Sequence, residues 1–242
     1  MAATVDVVTA GRALHAQWER LRAWVGRMAD PGLGREASVL EGWSITELWV
    51  HLGRAMDALA VCEPLPDGTQ PLTLAEYVGQ YPGRAADIAD TTRRLADEHA
   101  DDPVGYVTAS ATAAFARLDS LAPGDPVVQA RRGAVRLSTM TVSRVVELVV
   151  HADDLYRSVR RVRGADAVED PVDRDALALV ADELLAIVRS RGGWDLEVAD
   201  ARRWVRLATG RAPYDVDELA LALHPRYTSD AVPDLGRMLP LL

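Results

Sequence analysis

The chain has 242 residues, of which 49% are hydrophobic and 26% charged, and its formal net charge at pH 7 is −9. These values are typical of a soluble globular protein with one large domain, or with a domain and a smaller second part. An acidic chain lacks the basic surface that phosphate backbones require, which argues against nucleic acid as the main partner.

The cysteine content and the lengths of the apolar runs predict the cellular location of the protein. A single cysteine, Cys62, excludes an internal disulfide and fits a reducing cytoplasm. There is no basic region followed by an apolar block at the N-terminus, and no run of the roughly 18 apolar residues that span a bilayer. We therefore expect a cytoplasmic protein without a membrane partner. All 27 basic residues are arginine and asparagine is absent, which indicates GC-rich coding DNA, as in many actinobacteria.

Two helices are predicted in the first quarter of the chain. Residues 8–29 carry an apolar stripe at helical spacing, made of Leu14, Trp18, Leu21 and Val25. The second helix begins with a capping box formed by Ser44 and Glu47, and it extends to about Cys62. His51 lies on the buried face of this helix, where a lone histidine is more often a packed core residue than a ligand.

The residue pattern in the middle of the chain predicts shorter helical segments separated by Pro, Gly and Asp. They cover residues 72–81, 83–99 and 103–121, and a short extended segment is predicted over 127–137. Residues 163–173, rich in Asp and Gly, indicate a linker. Beyond it we expect a helix from Arg174, a short strand near 196–198 and further short helices.

Residues 137–162 are predicted to form one long helix, because valines recur at three- and four-residue steps. Glu147, His151 and Asp154 interrupt its apolar side at the spacing where helix neighbours touch. Burying a carboxylate and an imidazole without partners is costly. Two explanations stay open: the side chains bind a metal ion, or they hydrogen-bond each other or other side chains in a helical core.

These elements predict a mainly α fold, with an antiparallel four-helix bundle over 1–162 and a small α+β appendage over 174–242. In such a bundle His51 can face Glu147 and His151. Two imidazoles and one carboxylate are the three protein ligands of a catalytic zinc site, which keeps one position open. The same donors also suit other divalent transition metals.

Two segments carry a resemblance to a known family. They are RLSTMTVSRVVELVVHADDL at 136–155, and Gly42-Trp43-Ser44 leading into His51. Together they resemble the mycothiol-dependent maleylpyruvate isomerases, which belong to the DinB-like metal-binding four-helix bundles. The resemblance covers roughly residues 8–162 and implies a divalent metal, zinc above all, held by His51, Glu147 and His151. It also implies an isomerase or S-transferase that uses mycothiol as co-substrate on a small electrophile.

The resemblance extends in weaker form to the end of the chain. The segment RRWVRLATGRAPYD at 202–215 is similar to part of a sterol-carrier-like C-terminal domain, here in a reduced version, and implies Arg211 as a catalytic residue. Independently, Asp153 or Asp154 is placed to orient a metal-binding histidine by accepting a hydrogen bond from its other ring nitrogen. For Asp154 the alternative is a solvated or arginine-paired carboxylate.

Two other functions stay open at this point. A protein of the same fold can use activated water for hydrolysis. The bundle and appendage can also bind a small apolar ligand without catalysis, with a structural metal. The expected oligomeric state is a monomer or a homodimer.

Overall fold

The structure is a computed structural model that describes residues 5–28, 30–164, 168–227 and 231–242. It is mainly helical, with small antiparallel sheets, so the predicted fold class is confirmed. The helices of the N-terminal part are α1 (Val7–Met28), α2 (Pro31–Gly34), α3 (Ile45–Ala60), α4 (Leu74–Val78), a 3-10 turn (Pro82–Arg84), α5 (Ala85–Glu98), α6 (Pro103–Leu121) and α7 (Leu137–Arg163). In the described part of the chain, no helix is both long and apolar enough to cross a membrane.

Helix α7 lies at the centre of the bundle. Helices α1, α3 and α8 (Arg174–Gly192) pack against it, and α3 also packs against α5 and α6. Its valines and leucines are therefore buried on several sides, and its polar residues are buried with them. This enclosure removes Glu147 and His151 from water and makes their partners decisive for the fold.

A capping box fixes the start of α3, as predicted. The Glu47 amide donates to Ser44 Oγ over 3.1 Å, and the Ser44 amide donates to Glu47 Oε2 over 2.6 Å. Because the helix cannot begin at another residue without losing both bonds, its start is set locally. Within this helix, His51 lies 3.4 Å from Glu147 of α7.

A three-stranded antiparallel sheet closes one end of the bundle. Strands β2 (Val127–Ala130) and β3 (Gly133–Arg136) form a hairpin, and β1 (Glu63–Pro64) pairs with β2. The segment predicted as one extended stretch therefore folds back on itself. Its turn holds Arg131 and Arg132 and ends at Gly133, whose φ of +128° favours glycine.

The C-terminal part combines helices with a two-stranded sheet, as expected. After α8 follow β4 (Leu196–Val198), α9 (Ala201–Ala208), α10 (Val216–Ala222) and β5 (Leu223–Pro225), with β4 and β5 antiparallel. The apolar core continues from the bundle into α8 and α9. The division into domains at residues 163–173 stays a prediction.

Glu183 on α8 gives a test of the packing between this part and the N-terminus. Its side chain is 3% exposed, and Oε1 accepts a hydrogen bond from the Val5 amide over 3.2 Å. Oε2 has no partner among the described residues. Burial raises the pKa of Glu183 from 4.5 to about 6, so the folded state favours the protonated carboxyl.

Replacing Glu183 with glutamine is expected to stabilise the protein above pH 6. A carboxyl whose pKa is raised by folding stabilises the fold below its unfolded pKa of 4.5, and that contribution is lost as the pH rises through about 6. The variant should gain about 2 kcal/mol of unfolding free energy at pH 8 and less than about 0.5 kcal/mol at pH 4.5. Urea unfolding at both pH values measures this, with exposed Glu19→Gln as control; equal gains at both pH values would contradict it.

Candidate metal centre

Three buried side chains from two helices meet at the centre of the bundle. His51 comes from α3, and Glu147 and His151 come from α7, one turn apart. One potential ligand atom from each lies within 4.8 Å of those from the other two. Glu147 Oε2 is 3.4 Å from His51 Nε2 and 3.3 Å from His151 Nε2. The structure thus brings together the residues that the sequence analysis singled out as ligands.

The spacing of these atoms fits a divalent ion. Two ligands held about 2.0–2.1 Å from a tetrahedral zinc ion are about 3.4 Å apart. The two separations of 3.4 and 3.3 Å match this value, and they exceed the roughly 2.9 Å of a typical N–H···O bond. The donor types suit zinc and also iron, manganese, cobalt or nickel. These residues can therefore hold a metal, and its identity is left open by the donor set.

Electrostatics keep Glu147 and His51 in states that suit a cation, whereas His151 favours its protonated form and would have to release a proton to bind a metal. Burial lowers the pKa of His51 to about 4, so its imidazole is neutral at neutral pH. Burial raises the pKa of Glu147, but hydrogen bonds from His151 and His51 and the charge of Arg144 outweigh this and hold it well below its usual value. For His151, burial lowers the pKa, and hydrogen bonds to Asp154 and Glu147 raise it above its ordinary value. Glu147 is thus an ionised carboxylate beside an unprotonated imidazole.

Asp154 contacts the ring nitrogen of His151 that faces away from Glu147, Nδ1. The Asp154 side chain is fully buried, and its Oδ2 lies 3.0 Å from His151 Nδ1 and 3.2 Å from Arg211 Nε. The carboxylate thereby orients the ring so that Nε2 faces Glu147. Burial raises the pKa of Asp154, but its hydrogen bond with His151 and the charge of Arg211 lower it below its ordinary value.

Thr92 lies beside Nδ1 of His51, as Asp154 lies beside Nδ1 of His151. Thr92 was not identified from the sequence alone. Its hydroxyl oxygen on α5 lies 3.4 Å from His51 Nδ1 and donates to the carbonyl of Ile88 over 2.8 Å. Thr92 is fully buried. Thr92 follows Ile88 by four residues, which places it on the apolar face of α5, and this spacing could have predicted its burial.

Arg211 reaches the site from the turn after α9. Its Nε donates to Asp154, and its Nη1 donates to the carbonyl of Thr209 over 2.9 Å. The side chain also lines the cavity beside the metal ligands. The C-terminal part therefore contributes a cation to this site.

A cavity of about 440 Å³ opens directly on the three candidate ligands. Arginines make up its cationic lining: Arg54, Arg131, Arg132, Arg144 and Arg211. Among the described residues, Glu147 is the one acidic side chain in the wall. The other surfaces are mostly apolar and come from α5, the loop before α3 and the end of the chain, including Leu40, Trp43, Ile88, Pro240 and Leu242. A small organic molecule fits a cavity of this size.

A comparison with models of known protein families identifies the family of this chain. The model of the mycothiol maleylpyruvate isomerase N-terminal domain matches residues 14–156, more than half of the 242 residues. The chain belongs to this family. No match was found among curated proteins or among solved structures. The stretch assigned to the mycothiol maleylpyruvate isomerase family contains His51, Glu147 and His151 and ends before Arg211.

Replacing Asp154 with asparagine is expected to weaken metal binding about 10–100-fold, because a neutral amide orients and polarises His151 less well than a carboxylate. Zinc titration against a competing chromophoric chelator measures this affinity. The neighbouring Asp153→Asn is the matched control, since Asp153 pairs with Arg202 and Arg206 and makes no contact with the ligands. Equal losses in both variants would contradict a specific role for Asp154.

Proposed function

We propose that the protein is a divalent-metal-dependent enzyme that uses a low-molecular-weight thiol, mycothiol, to isomerise or S-conjugate a small electrophile. One observation carries the proposal: the buried set of His51, Glu147 and His151 opens on a cavity of about 440 Å³. Membership of a family named for a mycothiol-dependent isomerase supports the choice of thiol. Zinc is the metal we propose.

The chain's own cysteine is unsuited to act as the nucleophile. Cys62 is fully buried, its Sγ donates to the carbonyl of Ala58 over 3.2 Å, and burial raises its pKa to about 11. It is absent from the cavity wall that the described residues form. Because the chain has one cysteine, a sulfur nucleophile in this cavity would have to come from a small thiol.

The protein's residues would prepare both reactants. His51, Glu147 and His151 would hold the metal, with Asp154 fixing the orientation of His151. When bound, a divalent ion would lower the pKa of a thiol so that it ionises at neutral pH. The apolar wall that includes Trp43 would limit access of water to the reacting atoms.

Two outcomes of the sulfur chemistry share this arrangement. In isomerisation, sulfur bonds to one carbon of a conjugated double bond, the resulting single bond rotates, and the carbon–sulfur bond breaks again. In S-transfer, sulfur displaces a leaving group and stays attached to the product, and the thiol proton leaves with the solvent.

The test combines mycothiol with two electrophiles. Conjugation of monochlorobimane is followed by fluorescence, and conversion of maleylpyruvate, the compound in the family's name, by absorbance. We expect zinc-loaded protein to accelerate at least one reaction, chelation to abolish the rate, and added zinc to restore it. Equal rates for zinc-loaded and metal-stripped protein would contradict the proposal. Product formed at the same rate without thiol would indicate hydrolysis by activated water instead.

A further inference from the structure

Five arginines and one carboxylate face the cavity, and the arginines differ in what they contact. Arg144 donates to the Ala55 carbonyl and the Tyr81 hydroxyl, and Arg211 pairs with Asp154. The other three are Arg54, Arg131 and Arg132, which pair with no carboxylate of the described residues. In a chain with a net charge of −9, acidic partners are plentiful, so three unpaired cations at one cavity call for an explanation.

These three side chains line the same cavity. Arg54 follows His51 by one turn of α3, and Arg131 and Arg132 form the turn between β2 and β3. The guanidinium of Arg132 lies over the ring of Tyr81, 4.1 Å from its centroid. This stacking fixes the plane of the guanidinium and leaves its N–H edges available for a ligand.

The charges of this cluster are compensated only in part, by the carboxylate of Glu147 acting on Arg54. The Nε atoms of Arg54 and Arg132 are buried without a hydrogen-bond partner in the described structure. Burial lowers the pKa of Arg54, and the charges of Arg131 and Arg132 lower it further. An oxyanion bound between the guanidinium groups would accept the unused N–H bonds and relieve the repulsion between them.

We propose that Arg54, Arg131 and Arg132 form a subsite for the carboxylate of an anionic electrophile. The subsite begins three residues, about 4.5 Å, from His51 along α3, so a ligand anchored there extends to the metal centre within the same cavity. Mycothiol carries no carboxylate, which assigns the anion to the electrophile. This assignment to a reactant rests on the proposed function, whereas the binding of an organic anion does not.

Binding is tested by calorimetry with benzoate as the probe and methyl benzoate as its uncharged counterpart. We expect benzoate to bind chelator-stripped wild-type protein, with an affinity that falls as salt is added, and the ester to bind at least about 10-fold more weakly. Arg54→Gln and Arg132→Gln should each weaken benzoate about 10–100-fold, whereas exposed Arg12→Gln on α1 leaves it unchanged. The melting temperature of Arg54→Gln should equal or exceed that of wild type, because a repelled charge is removed.

Several results would overturn the subsite. They are no binding of benzoate by wild-type protein, equal binding of acid and ester, and binding that requires metal and survives both substitutions. The last would mean that the carboxylate coordinates the metal. These readouts need no turnover, so they stay informative even if the thiol reaction is never observed.

The assignment to the electrophile has its own test, with mycothiol and the matched pair 4-(chloromethyl)benzoate and its methyl ester. Arg54→Gln should raise the KM of the acid about 10-fold or more and leave the KM of the ester and of mycothiol unchanged. A rise confined to the KM of mycothiol would overturn the assignment.

Discussion

Replacing Arg144 with methionine is expected to lower the free energy of unfolding by about 3 kcal/mol. Arg144 is 2% exposed on α7; its Nη1 donates to the Ala55 carbonyl over 2.8 Å, and its Nη2 donates to the Tyr81 hydroxyl over 2.9 Å. Its Nη2 also lies 3.9 Å from Glu147 Oε1. Methionine fills similar volume but leaves two buried oxygens without donors and Glu147 without its cation.

Chemical denaturation of metal-stripped protein measures this loss without a contribution from bound metal. Arg12→Met, at an exposed position on α1, is the matched control and should change stability by less than about 0.5 kcal/mol. A loss for Arg144→Met no larger than for the control would show that the buried arginine is dispensable. That result would contradict its role as the link between α7, α3 and the carboxylate of the metal centre.

Replacing Glu147 with glutamine is expected to abolish stabilisation of the protein by metal. A ligand present at about 1,000 times its Kd stabilises the folded state by about 4 kcal/mol, and wild-type protein should gain this amount from zinc. Glutamine keeps the shape of the side chain but removes the charge. Replacing this direct ligand should therefore weaken metal binding more than the roughly 10–100-fold expected when Asp154, which only orients a ligand, is replaced.

Thermal unfolding with and without zinc measures this difference. Exposed Glu19→Gln should show the same increase in melting temperature as wild type, Asp154→Asn a smaller one, and Glu147→Gln none. The order of the variants is the informative result. An undiminished increase in Glu147→Gln would place the metal elsewhere in the protein.

Local signals explain what the sequence could predict. The capping box at Ser44 and Glu47 specifies where α3 begins, and the valine periodicity of 137–162 predicts the helix α7, although residues 137–155 are buried on all sides rather than on one face. The four-residue spacing of Glu147 and His151 places these two side chains next to each other before any tertiary contact is known. The remaining assumption, that α3 and α7 are neighbours, came from the expected bundle, in which sites are built from side chains on facing helices.

Long-range contacts explain what the sequence could not predict. The stripe of α1 was predicted to end in Val25, which is half-buried against the core, whereas Trp24 beside it is buried and its indole N–H donates to the carbonyl of Glu169 over 2.8 Å. Likewise, the hairpin that brings Arg131 and Arg132 to the cavity depends on pairing between β2 and β3. Neither partner is recognisable from sequence spacing.

The most direct test of the account is the divalent metal content of purified wild-type protein and of His51→Ala, determined by elemental analysis. His15→Ala is the control, since His15 is exposed on α1 and stacks on Phe115 away from the centre. The account predicts about one ion per chain in wild type and control, and none in His51→Ala. Wild-type protein that takes up no metal even when zinc is supplied, or His51→Ala that retains a full equivalent, would contradict it.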